Sequence, residues 1–401
     1  MQLPDDTILV MPLLVISALI LLFSPFQVKA QALPFQSDFN FTWTYQKIFT
    51  PQNIPLPASM NGVTRARVEA VYSPSVIKIQ NKYYMFFGVS LYCNPNNGPD
   101  VARDSVALAD SPDGINWTFR HYIIEPDPQA CLKPQSQWGT FTYQVNDPSV
   151  EPDPTTLNQI LVFYTTVIST QDNYGHIGLA KFDSNLNQTF RNDKFIPGTN
   201  VLGGPGYSRP DVQWTSPTTL KLWFDSGGHI GSTPLSNLSQ LTNPPITNEN
   251  YSGADINFPT LDYSQTFMLR DGGPVAAVSK DQSGTWSPTW FITQLSGQGW
   301  DSWYQGSPDM YLDNATCNPK LYFAGAVKTN TGVGFTLNIG MALPPAGKTF
   351  SFPVCNSTPP PPTPVPGDLT GDGHVTLADL MQAISSLNIF TYNQVVANFG
   401  K

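Results

Sequence analysis

The stretch Asn146-Asp147-Pro148-Ser149-Val150, followed by Gln159-Ile160-Leu161-Val162-Phe163-Tyr164, decides the fold of this chain. It joins an acidic residue, a proline and a small turn residue to an aromatic-rich run with high β propensity. The same order recurs in Tyr72-Ser73-Pro74-Ser75-Val76, Ser208-Arg209-Pro210-Asp211-Val212, Asn257-Phe258-Pro259-Thr260-Leu261 and Ser307-Pro308-Asp309-Met310. The five prolines lie 49 to 74 residues apart. A period of about 50 residues in an all-β chain is typical of the blades of a β-propeller.

Composition agrees with this architecture. The 401 residues include 38 prolines, 30 glycines and 12% aromatic residues, but only 12% charged ones. That mixture favours turn-rich β structure over helix bundles or coiled coils. The net charge of −9, with no cluster of Lys or Arg, disfavours a nucleic-acid partner.

The first 30 residues have the pattern of a secretory signal peptide. Residues 8–23 are almost entirely apolar, and small residues at alternating positions suit cleavage after Ala30 or Ala32. Asp5 and Asp6 depart from the usual basic start, and an uncleaved membrane anchor is the alternative, although the run is short for a spanning helix. The sequence therefore predicts a secreted, extracellular protein, with surface attachment as a variant of that location.

Four cysteines fit an oxidising compartment. None of them has a partner at metal-ligand spacing, which disfavours zinc. Their even number predicts two disulfides, Cys93–Cys131 and Cys317–Cys355, in the first and last blades; four buried free thiols are the alternative.

The composition changes abruptly after the repeats. Residues 33–356 form the predicted propeller, and the proline-rich residues 357–366 form an extended linker. In residues 367–401, a loop places oxygen ligands and a glycine at the spacing of an EF-hand, which predicts one bound calcium ion. The predicted ligands are Asp368, Thr370, Asp372, the His374 carbonyl, Thr376 and Asp379.

This small helical tail resembles a type I dockerin, whose repeats carry such loops. The first loop is whole, whereas residues 388–401 are similar to the helix half of a second repeat without its loop. The resemblance implies a cohesin-like or cell-surface partner.

The repeat motifs resemble those of the five-bladed propeller glycosidases: arabinanases, β-xylosidases and fructosidases. In the arabinanase type, the first three blades supply an Asp base, an Asp-Pro carboxylate that tunes the acid, and a Glu acid. Asp147 matches the second directly. Ser73 stands at the base position, and Ser208 or Arg209 at the acid position, so two of the three depart from the pattern.

Other residues could restore a catalytic pair. An inverting glycosidase needs two carboxyl groups about 6.5–9.5 Å apart, and a propeller brings the starts of its inner strands together. The candidate catalytic residues are Asp147, Glu69, Asp211 and Asp309; the candidate substrate-binding residues are Arg209, Asp104 and Trp138. Each carboxylate could equally cap a turn.

The sequence thus predicts a glycosidase-like protein that hydrolyses O-glycosidic bonds in a polysaccharide by acid/base catalysis, without a catalytic cofactor. Three alternatives stay open. One is a non-catalytic carbohydrate-binding propeller, favoured by Ser73 and Arg209. Another is a sialidase-like enzyme, from the single Asp-box-like stretch 279–286, and the third is a surface protein attached through its tail.

Overall fold

The computed structural model describes residues 35–61, 63, 65–93, 101–127, 142–153, 159–168, 175–198, 206–216, 219–235, 245–252, 255–281, 283–297, 299–313, 316–328 and 335–356. Over these residues the chain forms the predicted all-β propeller of five blades. Its helical segments are single turns, Pro51–Asn53, Ala58–Met60 and Pro353–Asn356. No helix in this part of the chain is long and apolar enough to cross a lipid bilayer.

Several predictions concern segments outside the described residues. They are the signal segment 1–30, the linker 357–366, the calcium-binding module 367–401, Cys131 and Trp138. These stay predictions.

Antiparallel sheets of four strands form blades one, two, three and five, and a sheet of three strands forms blade four. From the innermost strand outward, the strands are β2 Arg67–Ile79, β3 Lys82–Cys93, β4 Val101–Ser111 and β5 Thr118–Ile124 in blade one; β6 Thr142–Pro152, β7 Ile160–Ile168, β8 Gly175–Phe182 and β9 Gln188–Ile196 in blade two; β10 Ser208–Ser216, β11 Thr219–Ser226, β12 His229–Leu235 and β13 Thr247–Ser252 in blade three; β14 Thr266–Arg270, β15 Ala276–Lys280 and β16 Trp290–Phe291 in blade four; and β17 Tyr304–Asp313, β18 Asn318–Lys328, β19 Phe335–Leu343 and β1 Thr44–Phe49 in blade five.

The N-terminal strand closes the propeller. β1 pairs antiparallel with β19, so the first strand of the chain is the outermost strand of the last blade. The sequence pattern predicts a strand over residues 39–45, but the strand begins at Thr44. Phe39 and Trp43 are instead buried in the core of blades four and five, where the Trp43 indole donates to the Ile292 carbonyl. Burial of these two rings explains the displaced strand.

The repeated proline motif forms a β-bulge in four inner strands. The pairing register jumps between Tyr72 and Ser75, Asn146 and Ser149, Ser208 and Asp211, and Gly306 and Asp309. A bulge leaves residues unpaired, and it therefore accepts a proline, which has no N–H to donate. The residue before each proline has a left-handed backbone, with φ of 46° at Ser73 and Asp147, 50° at Arg209 and 43° at Ser307. Such conformations cost on the order of 1–3 kcal/mol each and cluster at functional sites.

In blade four the motif lies at other residues than the sequence pattern predicts. The residue with the matching left-handed backbone is Asp255, with φ of 50°, and Asn257 bonds to Leu269 on β14 through both backbone groups. The motif of this blade is therefore Asp255-Ile256-Asn257, and not Phe258-Pro259-Thr260. An isoleucine occupies the proline position, which is why a search for proline selects the wrong register.

The residues after the motif position tie the blades into a ring. The Val150 amide donates to Ser75 Oγ (3.1 Å), and Ser149 Oγ donates to Asp211 Oδ1 (3.0 Å). The ring continues from blade three to blade one through three more backbone amides, Phe258 to Asp211 (2.5 Å), Met310 to Asn257 (3.1 Å) and Val76 to Asp309 (3.0 Å). These bonds satisfy backbone donors that the bulges release from the sheets.

The predicted bridge between Cys317 and Cys355 is present and links blade five to the last helical turn. Cys93 is buried and disulfide-bonded, whereas Cys131 lies outside the described residues. We expect the double variant Cys317→Ser/Cys355→Ser to lose about 2–4 kcal/mol of unfolding free energy, because the bridge closes a 38-residue loop in the unfolded chain. Urea denaturation of both proteins without reductant measures this; equal midpoints and slopes would contradict it.

Candidate functional site

Two cavities lie along the propeller axis, and a layer of side chains separates them. The upper cavity is lined by the motif residues of all blades, from Ser73 to Ser75 in blade one to Ser307 to Asp309 in blade five. The lower cavity is lined by the following residues of the same inner strands, such as Val76 to Lys78 and Asp309 to Leu312. Ser75, Asp211, Asn257 and Asp309 line both, so the ring of interblade hydrogen bonds forms the wall between them.

The upper cavity collects polar side chains from different blades. It is partly open to solvent and measures about 30 Å³. The five motif residues with left-handed backbone, one from each blade, all lie on its lining: Ser73, Asp147, Arg209, Asp255 and Ser307. The motif therefore places one residue of each blade on the lining of this cavity, as the sequence predicts.

Asp147 is fixed by two hydroxyl donors. Ser73 Oγ donates to its Oδ1 (2.7 Å) and Thr165 Oγ1 donates to its Oδ2 (3.2 Å). The Arg209 amide donates to the same threonine hydroxyl, which holds blades two and three in register. Burial raises the pKa of Asp147 above its ordinary value; the Arg209 charge opposes the shift and the Asp255 charge adds to it. Asp147 is thus an oriented carboxyl group with a raised affinity for a proton.

Arg209 is the cation of the upper cavity. Its Nε lies 2.5 Å from Asp255 Oδ1, and its Nη1 lies 3.5 Å from Asp225 Oδ2. Tyr304 donates its hydroxyl to Asp255 Oδ2 (2.8 Å), so both oxygens of Asp255 are held. The Arg209 side chain is 37% exposed, which leaves part of the guanidinium available to a ligand.

Asp104 lies behind the upper cavity, between blades one and two. Tyr72, Ser90 and Asn146 donate to it at 2.9, 2.8 and 3.3 Å. Burial, with the Asp147 charge as a smaller cause, raises the pKa of Asp104 to about 6, although its hydrogen bonds act in the opposite direction. It does not line the cavity over the described residues. It is coupled to the site through its electrostatic interaction with Asp147 and its hydrogen bond from Asn146.

Asp211 and Asp309 lie in the ring between the cavities. They are 5% and 8% exposed, and the Asn257 amide donates to both, at 3.3 and 3.2 Å. Burial raises the pKa of Asp211 to about 7 and raises that of Asp309 strongly, with the Asp211 charge as the next cause. Both carboxyl groups accept backbone hydrogen bonds from the next blade, so they hold neighbouring blades together.

Glu69 is placed away from the other candidates. Its side chain is 49% exposed and pairs with Arg67 on the same strand, Nε to Oε2 at 2.9 Å. Glu69 is not part of the cavity lining among the described residues. The structure thus brings together Asp147 and Arg209, places Asp104, Asp211 and Asp309 next to them, and separates Glu69 from the group.

Sequence reasoning missed Asp255 because no proline follows it. The signal that could have found it is the alignment of Asp255-Ile256-Asn257-Phe258 with Arg209-Pro210-Asp211-Val212, in which charged, apolar, polar and apolar residues correspond. Tyr304 was also missed, since a tyrosine in an aromatic-rich strand is expected in the core.

The arrangement can support proton transfer in a confined polar site. Asp147 and Asp255 belong to blades two and four, and Arg209 lies between them with its charge acting on both. Two carboxyl groups on one polar cavity have the components that acid/base hydrolysis needs. In the described part of the chain, no group of three or more His, Cys, Asp or Glu side chains has the arrangement of a metal site.

No known family matches the chain by its sequence profile, and no curated protein matches it by sequence. Solved structures do match by fold. A family 117 glycoside hydrolase from the marine bacterium Zobellia galactanivorans aligns over 76% of this chain and 91% of its own, with a TM-score of 0.50 and 11% identity. An α-L-arabinofuranosidase from Podospora anserina, in complex with cellotriose, aligns over 77% and 98%, with a TM-score of 0.49 and 12% identity. At these identities the similarity concerns the five-bladed fold.

Proposed function

We propose that the propeller is a glycosidase that hydrolyses O-glycosidic bonds of a polysaccharide in the upper cavity. The observation that carries this proposal is the convergence of Asp147, Arg209 and Asp255, from three blades, on one polar cavity, each held in a strained left-handed backbone. The fold similarity to a glycoside hydrolase agrees with it.

In this proposal Asp147 donates the proton to the leaving oxygen, because its environment favours the protonated form. Asp255 accepts a proton from the attacking water, with Arg209 and Tyr304 fixing its orientation. Arg209 also donates to sugar hydroxyls through its exposed guanidinium edge. The bond from the anomeric carbon to the leaving oxygen breaks, and water supplies the new hydroxyl group.

Release of reducing sugar from arabinans, xylans, fructans and pectic glycans tests this function. The full chain should release sugar from at least one of them, and so should the control variant Asp281→Asn, which changes an exposed turn residue outside both cavities. Binding of a glycan without release of sugar would contradict the glycosidase proposal and support a second candidate function, that of a carbohydrate-binding propeller. That candidate is favoured by Ser73, which supplies a hydroxyl where the resembling glycosidases have their base.

Ser73→Ala tests the role of Asp147 through pH. The Ser73 hydroxyl lowers the pKa of Asp147, so its removal raises that pKa. A general acid is active while protonated, and the alkaline limb of the pH–rate profile should therefore move to higher pH in the variant. An alkaline limb that stays in place, or moves to lower pH, would show that Asp147 is not the acid.

We also propose that the chain is exported and that its tail, residues 367–401, binds calcium and attaches the propeller to a cohesin-like or surface partner. Isothermal titration of the full chain with calcium tests the metal site: Asp368→Ala should abolish the binding. Calcium binding that is unchanged in this variant would contradict the proposed loop.

A further inference from the structure

The lower cavity is much larger than the upper one. It measures about 370 Å³ and lies within the size range of small-ligand pockets. Its lining comes from the inner strands of blades one, two, three and five and from residues 257–263 of blade four. The ring of Asp211, Asn257 and Asp309 separates it from the upper cavity, so it is a different site from the proposed catalytic one.

Aromatic side chains are part of its wall. Trp214, Tyr263 and Tyr311 line it from three blades, and all three are partly exposed, so their surfaces are open to the cavity. Rings that are only partly buried expose apolar area that a ligand can cover.

One carboxyl group in this wall has an unused oxygen. The Trp214 indole donates to Glu151 Oε2 (2.9 Å), and no described residue hydrogen-bonds to Glu151 Oε1. Burial, as the largest cause, raises the pKa of Glu151 to about 8, which favours the protonated form that can donate as well as accept.

The charges of the lower cavity select against ions. Its one lysine, Lys78, is bound to Asp313 (3.3 Å), so the described lining offers an anion no unpaired cation. Asp211 and Asp309 have their oxygens occupied by the ring donors, and the raised pKa of Glu151 favours its neutral form, which gives a cation little to bind. A neutral ligand with apolar and hydroxylated faces fits this chemistry best.

We propose that the lower cavity is a second carbohydrate site, which binds one neutral sugar residue, with its apolar face on the aromatic wall of Trp214, Tyr263 and Tyr311 and a hydroxyl on Glu151. The site does not take part in hydrolysis, since the ring separates it from Asp147. It holds a glycan chain or a product end on the opposite side of the propeller, and this inference goes beyond the proposed catalytic function.

Indole N–H resonances of the full chain provide the test. The chain has nine tryptophans, and the Trp214 peak is identified by its loss in Trp214→Phe. Glucose, xylose, arabinose and galactose, with their short oligomers, are titrated separately. At least one should shift the Trp214 peak saturably, and Glu151→Ala and Tyr263→Ala, measured while folded, should each weaken that binding by about tenfold.

Asp147→Asn separates this site from the catalytic one. The Trp214 shift should persist in that variant with the same affinity, whether or not the variant hydrolyses any glycan. A shift that disappears with Asp147→Asn would mean that the sugar binds only in the upper cavity, and a Trp214 peak that no sugar moves would overturn the proposal. If Glu151→Ala fails to fold, Tyr263→Ala decides alone.

Discussion

Asp147→Asn should lower the rate of glycan hydrolysis by about 10²–10⁴-fold, the usual contribution of a positioned general acid or base. The amide has the size of the carboxyl group, and its oxygen can still accept from Ser73 or Thr165. It cannot deliver a proton to the leaving oxygen. We therefore expect kcat to fall while KM changes little, because the sugar contacts of Arg209 remain.

The control is Asp281→Asn, which makes the same chemical change in an exposed turn. Its kcat should equal that of the wild type. A loss of the same size in both variants, or full activity of Asp147→Asn, would contradict the assignment. A large rise in KM with unchanged kcat would make Asp147 a binding residue instead.

Asp211→Asn should remove a pH dependence from the stability of the propeller. The pKa of Asp211 rises from 3.8 to about 7 on folding, so the folded state binds a proton more tightly than the unfolded one. The stabilisation is complete below pH 3.8 and is lost as the pH rises to about 7. A pKa difference of one corresponds to about 1.4 kcal/mol, and we therefore expect wild type to lose on the order of 4 kcal/mol relative to the variant across this window.

Urea unfolding at several pH values, with wild type and variant side by side, measures this difference. The Asn257 amide bridges Asp211 and Asp309, so the difference curve reports the coupled pair rather than one residue. Asp281→Asn serves again as the control. The pKa of that exposed residue is lowered on folding, so its effect on stability changes mainly as the pH falls below this window. A difference between wild type and Asp211→Asn that is constant with pH would show that the ring does not bind a proton on folding.

The recurrence of the proline motif was enough to predict the number of blades and the convergence of Asp147 and Arg209. A bulge leaves a backbone N–H unpaired and therefore accepts a proline, which can be recognised in the sequence. Where blade four uses Ile256 instead, the mark is missing and Asp255 is lost with it. The roles of Asp211 and Asp309 were also hidden, because a carboxylate that clamps the next blade and one that reacts have the same local sequence.

Closure by β1 could not be predicted from local pattern. Residues 44–49 alternate too weakly to specify their partner, and the pairing with β19 joins the two ends of the propeller. Strand pairing at this separation depends on the whole ring of blades, to which a single segment contributes little.

The most direct measurement of the central claim is a crystal structure of Asp147→Asn soaked with an oligosaccharide that the wild type cleaves. The proposal predicts a sugar in the upper cavity, with the leaving oxygen beside residue 147 and hydroxyls on Arg209. An oligosaccharide bound elsewhere, with the upper cavity occupied only by water, would contradict it.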